Sequence, residues 1–267
     1  MLIDTHCHLD YLDIPEIADG IQGALSRGRA AGVGAIVVPT VSPANVARVV
    51  ALAEREPEVY FALGIHPMYV QELGDTALAE IENALDRYRH HPKLVAVGEI
   101  GLDHHVPGLD RERMYMFFIA QCRMAKDRGL PVILHVRKAQ DQVLAGLRRF
   151  GIQLGIAHAF NGSHVQARAY IEQGLVLGMG GAMTFTRALQ IRRLAAELPL
   201  EALVLETDSP DIAPSWKPKG ALNEPAELSQ IAECLGGLRH ISVDDVVRAT
   251  ATNTQRVLPR LSLHSTR

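Results

Sequence analysis

The sequence predicts an α/β fold, a single (β/α)8 TIM barrel spanning residues 1–267, and three observations carry that prediction. Eight short apolar runs rich in β-branched residues recur along the chain, each followed by a longer segment of helical periodicity. The runs are apolar on both faces, the pattern of a parallel sheet covered by helices and joined by right-handed crossovers. Eight such units fill the chain, and a closed barrel commonly takes about 250 residues.

In chain order the strand runs are MLIDTHCH (1–8), VGAIVVPT (33–40), VYFALGIH (59–66), LVAVGEIG (94–101), PVILHV (131–136), LGIAHA (154–159), LVLGMGG (175–181) and ALVLETD (202–208). Between them lie amphipathic stretches, read most clearly at 17–32, 44–57, 77–92, 113–129 and 164–174, several closing on the Gly or Pro expected where a helix stops. After the eighth run comes a Pro-rich loop, SPDIAPSWKPKGALNEP (209–225), placed to cover a site, and then two helical patterns at 226–237 and 242–258. No linker, low-complexity tract or long repeat interrupts this order, so a second core is not expected.

Composition narrows the function. Hydrophobic content of 48% and charged content of 21% describe an ordinary globular chain. A net charge of -3 argues against a protein that coats nucleic acid or lies on an anionic membrane, since both need a broad basic face. Three widely spaced cysteines (Cys7, Cys122, Cys234) do not form a disulfide framework and point to a reducing, cytoplasmic setting. Neither a basic leader nor an apolar run long enough for a membrane span is present.

Barrel enzymes carry their chemistry at the C-terminal ends of the strands. Those ends hold His6 and His8, His66, Glu99, His135, His158 and Asp208. The segment THCH invites a zinc knuckle built from all three side chains, but alternation along a strand opposes it. His6 and His8 share a face, while Cys7 points to the helix layer as a small buried apolar residue. The same parity puts Glu206 and Asp208 together. Imidazole and carboxylate groups of this kind suit divalent ions. Six ligands exceed what one catalytic zinc with an open position needs, so a pair of ions about 3.5–4 Å apart is the economical arrangement.

The chain resembles the TatD family of metal-dependent deoxyribonucleases, within the wider amidohydrolase-like barrels. The resemblance runs through DTHCHLD, GIHP, GEIGLD, PVILHVRKA, HAFNGS, LETDSPDIAP and NEP, in that order over nearly the whole chain. It implies that His6, His8, Glu99 and Asp208 hold one ion and that Glu99, His135 and His158 hold the second, with Glu99 bridging. It also sets the chain apart from barrels that bridge two metals with a carbamylated lysine. The sequence departs from the pattern at His104, where relatives often carry an aromatic, and at Asn161, where Ser is common; both bear on specificity.

The expected function is therefore a hydrolase, a deoxyribonuclease cutting DNA ends or single strands with two divalent ions (Mg, Mn or Zn). RNA and small phosphodiesters remain open as substrates, and no membrane or obligate protein partner is expected. With histidines neutral and two carboxylates ionised, two ions leave about +2 at the centre, which favours an anionic phosphodiester and its transition state. A metal-activated hydroxide is the expected nucleophile, with Asp208 as ligand and proton acceptor and Glu206 tuning a ligand or water. His66 and Arg137 are the candidate phosphate contacts. The alternative is a hydrolase of a small amide, lactone or ester on the same site; a barrel that has kept its metals only for stability has no sequence support. Phe160, Trp216 and Tyr69 are aromatic residues near the mouth, each read as packing rather than as a base platform. The glycines of GLVLGMGGAM do not fit a dinucleotide fingerprint and are read as letting the seventh strand approach substrate.

Overall fold

The computed structural model describes residues 1–262; the end of the unit expected over 1–267 lies outside the described residues. The strands are β1 (Leu2–Asp4), β2 (Val33–Pro39), β3 (Val59–Leu63), β4 (Leu94–Asp103), β5 (Val132–Arg137), β6 (Gly155–Ala157), β7 (Val176–Met179) and β8 (Leu203–Leu205). They form one parallel sheet in sequence order. The helices between them are α1 (Gly20–Ala30), α2 (Val46–Arg55), α3 (Ala77–Arg87), α4 (Arg111–Arg128), α5 (Gln140–Phe150), α6 (His164–Glu172) and α7 (Leu189–Glu197), and α8 (Leu228–Arg239) and α9 (Val243–Val257) follow β8.

Local chemistry sets the helix boundaries. The Asp110 carboxylate accepts the Arg113 N–H at the start of α4, and Gly129 closes that helix in the left-handed conformation at φ 61°. At α6, Ser163 and Gln166 exchange bonds in a capping box. Both devices turn the chain sharply near the strands, as short barrel connections require.

The barrel nearly closes through bonds made beyond the regular ladders. Thr5 N–H donates to the Leu205 carbonyl at 3.0 Å, and Asp208 N–H donates to the His6 carbonyl at 2.8 Å. The first and last units therefore meet at the residues that carry the chemistry. Strand β1 is shorter than the expected run, ending at Asp4 where the chain bends at Thr5.

Ile3, Val37, Tyr60, Ile133, Ile156, Val176 and Val204 fill the barrel interior, and Val257, Leu258 and Leu261 close its lower end. The larger cluster lies between sheet and helices and takes in Cys7, Phe61, Phe117 and Phe118. The lower end is thus apolar and filled, which leaves the upper end for polar groups.

Candidate metal centre at the mouth of the barrel

Glu99 lies within β4 and His135 within β5; His6, His8, His66, His158 and Asp208 follow the ends of their strands by one to four residues. The fold brings all seven together. Three overlapping groups have ligand atoms close enough to share an ion: His6 with Glu99 and His158, His6 with His8 and Asp208, and His66 with Glu99 and His135.

Glu99 stands at the middle, and its two oxygens face different partners. Oε2 lies 3.1 Å from His6 Nε2 and 3.4 Å from His8 Nε2. Oε1 lies 3.1 Å from His158 Nε2, 3.2 Å from His135 Nδ1 and 3.4 Å from His66 Nε2. Asp208 Oδ1 joins the first set, 3.5 Å from His6 Nε2 and 3.8 Å from His8 Nε2. The Nε2 atoms of His6 and His8 are themselves only 3.3 Å apart. Glu99 Oε2 is buried without a hydrogen-bond donor. An unpartnered carboxylate oxygen against converging imidazole nitrogens is a donor set that a divalent cation satisfies.

Burial would lower every ring, yet the carboxylates overcome it at His8, His135 and His158 and raise them, so an ion bound there takes the place of a proton. Burial, with His158 alongside, lowers His6 to about 3, and burial lowers His66 to about 4, so both rings are neutral, as ligands and neutral donors must be. Burial alone would raise Glu99, but the surrounding His66, His6 and His158 hold it well below the usual carboxylate range. Burial lifts Asp208 to about 6, with His158 and His8 opposing.

Carboxylates behind the histidines choose which ring nitrogen faces the centre. Asp103 Oδ2 sits 2.9 Å from His135 Nε2, and its Oδ1 accepts the N–H groups of His105 and Val106 at 2.7 and 3.0 Å. Burial would raise Asp103, yet these bonds keep it low and ionised. The proton of His135 therefore belongs on Nε2, and the Nδ1 lone pair points at Glu99. His158 is turned the other way, with Nδ1 3.6 Å from Glu206 Oε1 and Nε2 toward Glu99. His66 Nδ1 accepts the Met68 N–H at 3.1 Å, so its Nε2 carries the proton and faces the centre as a donor, 3.1 Å from the lone pair of His135 Nδ1.

Glu206 thus lies behind His158 while Asp208 joins His6 and His8, although the two carboxylates are only two residues apart. Glu206 also accepts the Ala159 N–H at 2.5 Å. Room for it comes from Gly178: a Cβ there would fall 2.0 Å from Glu206 Oε2. The seventh-strand glycine therefore makes space for a carboxylate rather than for substrate. Sequence reading missed Asp103, although the alternation that paired His6 with His8 also puts Asp103 on the face of Glu99, four residues along β4. Lys138, Ala159 and Asp208 adopt φ of 55°, 42° and 57°, each just beyond the C-terminal end of its strand or at the last residue of β5 plus one. Left-handed backbone at non-glycine residues concentrates where a site over-determines the chain.

Above the centre opens a cavity of about 1040 Å³. Arg137 and Lys138 line it, and among the described residues no carboxylate lies within 4 Å of Arg137. Asn161 and His105 also line it. Of the three aromatics, Phe160 is fully buried against Tyr170, and Trp216 Nε1–H donates to Glu227 Oε2 at 2.6 Å. Tyr69 does not pack away: it lines the cavity and is 36% exposed.

Comparison with known proteins agrees with this picture. The family model described as TatD related DNase matches residues 3–259. The chain is 39% identical over 253 residues to the uncharacterized metal-dependent hydrolase YjjV of Escherichia coli K12, covering 94% of this chain and 95% of that protein. It is 32% identical over 265 residues to the uncharacterized metal-dependent hydrolase TatD of Mycobacterium tuberculosis, covering 96% of this chain and 97% of that one. The crystal structure of E. coli YjjV superposes with a TM-score of 0.90 at 37% identity, over 97% of this chain and 98% of that chain. With eight parallel strands in a nearly closed barrel and a match over nearly its whole length, the chain belongs to the TatD related DNase family.

Proposed function

We propose that this metal-dependent hydrolase cleaves phosphodiester bonds in DNA, at ends or in single strands, using two divalent ions. The observation that carries the reading is the division of Glu99, one oxygen toward His6 and His8 and the other toward His135 and His158. His6, His8, Glu99 and Asp208 would hold one ion, and Glu99, His135 and His158 the other. Bound there, a pair of Mg, Mn or Zn ions would supply Lewis-acid stabilisation of the charge developing on the phosphoryl and leaving oxygens and lower the pKa of water.

The chain's own residues do the rest. Asp208, beside His6 and His8 at the mouth, is placed to accept a proton from water and pass it on. Asp103 holds His135 with its proton on Nε2, and Glu206 lies beside Nδ1 of His158. His66 offers an Nε2–H to a phosphate oxygen, and Arg137 offers a planar fork to the same group. A neutral amide would gain less from this arrangement than an anionic diester. We also read 1–267 as one domain and the cytosol as its setting; among the described residues no helix is long and apolar enough to cross a membrane.

The test is an end-labelled single-stranded DNA oligonucleotide incubated with metal-stripped protein, with Mg, Mn or Zn restored separately and Asp208→Asn as control. Metal-dependent cleavage absent from the control is the expected result. No cleavage with any ion would overturn the DNA reading. Metal content measured on His135→Ala should fall by one ion, and an unchanged content would count against the two-ion assignment.

A further inference from the structure

Two of the centre's histidines are each followed, three residues on, by a tyrosine: His8-Leu9-Asp10-Tyr11 and His66-Pro67-Met68-Tyr69. Each tyrosine lies on a 3-10 turn that starts directly after its histidine, at Leu9–Tyr11 and Pro67–Glu72. In that geometry side chains three apart eclipse, so each ring stands over its own histidine. The ring centroids are 6.2 Å apart for His8 and Tyr11 and 6.0 Å for His66 and Tyr69, both nearly perpendicular at 87°. The two short turns thus build one aromatic edge along the β1 and β3 side of the mouth.

That edge is open to the cavity. Tyr11, Met68 and Tyr69 all line it, and Met68 and Tyr69 are 40% and 36% exposed. Tyr11 is held in place, since the Arg48 guanidinium lies 5.9 Å from its ring centroid. Arg137 and Lys138 line the same cavity from the end of β5, four strands around the ring from β1. The mouth is therefore polarised, with flat apolar rings and a thioether on one side, cations on another and the candidate metal centre beneath. A nucleotide has the matching polarity, a flat heterocycle joined to an anionic diester; a small amide or lactone does not.

We propose that Tyr69 and Tyr11, with Met68, form a docking shelf for the nucleobase of the nucleotide whose phosphate lies at the centre. The proposal rests on reading the centre as a phosphodiester site and adds where the mouth holds the base of that substrate. Stacking on such rings accepts every base, because each has a π face, so the shelf selects for the presence of a base and not for its identity.

The experiment compares binding of dAMP and deoxyribose 5-phosphate to manganese-loaded protein by titration calorimetry, in wild type, Tyr69→Phe, Tyr69→Ala and Tyr11→Ala. Wild type should bind dAMP about 5- to 150-fold more tightly than the sugar phosphate, the range that loss of one base–aromatic stack corresponds to. Tyr69→Phe keeps the ring and should keep the preference, whereas Tyr69→Ala should remove most of it. Equal affinities in wild type, or a preference that survives both alanine variants, would overturn the shelf. The oligonucleotide assay separates the two readings: base-dependent binding without cleavage overturns the nuclease and leaves the shelf, and cleavage with base-blind binding does the reverse.

Discussion

At the scale of single residues, the centre depends on groups that never face the cavity floor directly. Asp103 is fully buried and holds the His135 proton on Nε2, so that Nδ1 is free to act as a ligand. Asp103→Asn keeps the shape and removes the charge that fixes this tautomer. Affinity for the ion should drop about 10- to 100-fold, the usual cost of losing such a partner, in competition against a chelating dye. Unchanged affinity would mean that His135 finds its tautomer unaided. Gly178 makes a second residue-scale case. Gly178→Ala would drive a methyl into the Glu206 carboxylate, and overpacking of this kind costs about 1–3 kcal/mol, readable as a lower denaturation midpoint.

At the scale of elements, β1, β3, β6 and β8 stop short of their chemistry, while β4 and β5 carry theirs within the strand. His6, His8 and Asp208 lie beyond β1 and β8, where the backbone is free of the ladder and Asp208 can turn to φ 57°. The helix layer is tied separately. Glu56, at the end of α2, accepts from Gln22 and Arg29 of α1 at 2.8 and 2.9 Å and from Arg55 at 3.0 Å. Burial would raise its carboxyl, yet these bonds overcome burial and leave it lowered. A folded-state value below the unfolded one near 4.3 means that the ionised form contributes stability above that pH, and that this is lost as pH falls through the folded value. Glu56→Gln should therefore cost about 1–2 kcal/mol at pH 7, and the gap to wild type should close in acid. A gap that stays constant in urea titrations from pH 7 to pH 3 would refute the assignment.

At the scale of the whole molecule, the barrel has two ends with different work. Val257, Leu258 and Leu261 plug the lower end against Ile3, Val37 and Val204. Leu258→Ala should destabilise the fold by about 2–5 kcal/mol while ion affinity stays within error of wild type, because the centre lies at the opposite end. A parallel loss of ion affinity would show that the two ends are coupled. The upper end gathers its polar groups from β1, β3, β4, β5, β6 and β8, so an ion bound there ties distant parts of the chain together. Added metal should raise stability by about 2.7 kcal/mol at a hundredfold excess over Kd, and chelator should reverse it. A melting temperature indifferent to metal would speak against binding at this centre.

The barrel and the gathering of His6, His8, His66, Glu99, His135, His158 and Asp208 at its mouth were legible in the chain, because continuous apolar runs and the residues at their ends are local features. Alternation counted from His6 and His8 places Cys7 in the outer cluster, where it lies; counted from the residues of β1 itself it would not. Ile3 faces the barrel interior, and strict parity would put Cys7 there too, yet Cys7 lies in the outer cluster. The bend at Thr5 resets the phase, and that bend follows from bonds to β8 some 200 residues away. The same holds for the tautomer of His135, the space that Gly178 leaves for Glu206 and the two tyrosines that share one edge. Sequence determined which residues stand at the strand ends; closure of the barrel decided which of them touch, because contacts between strands depend on three-dimensional register that no local pattern encodes.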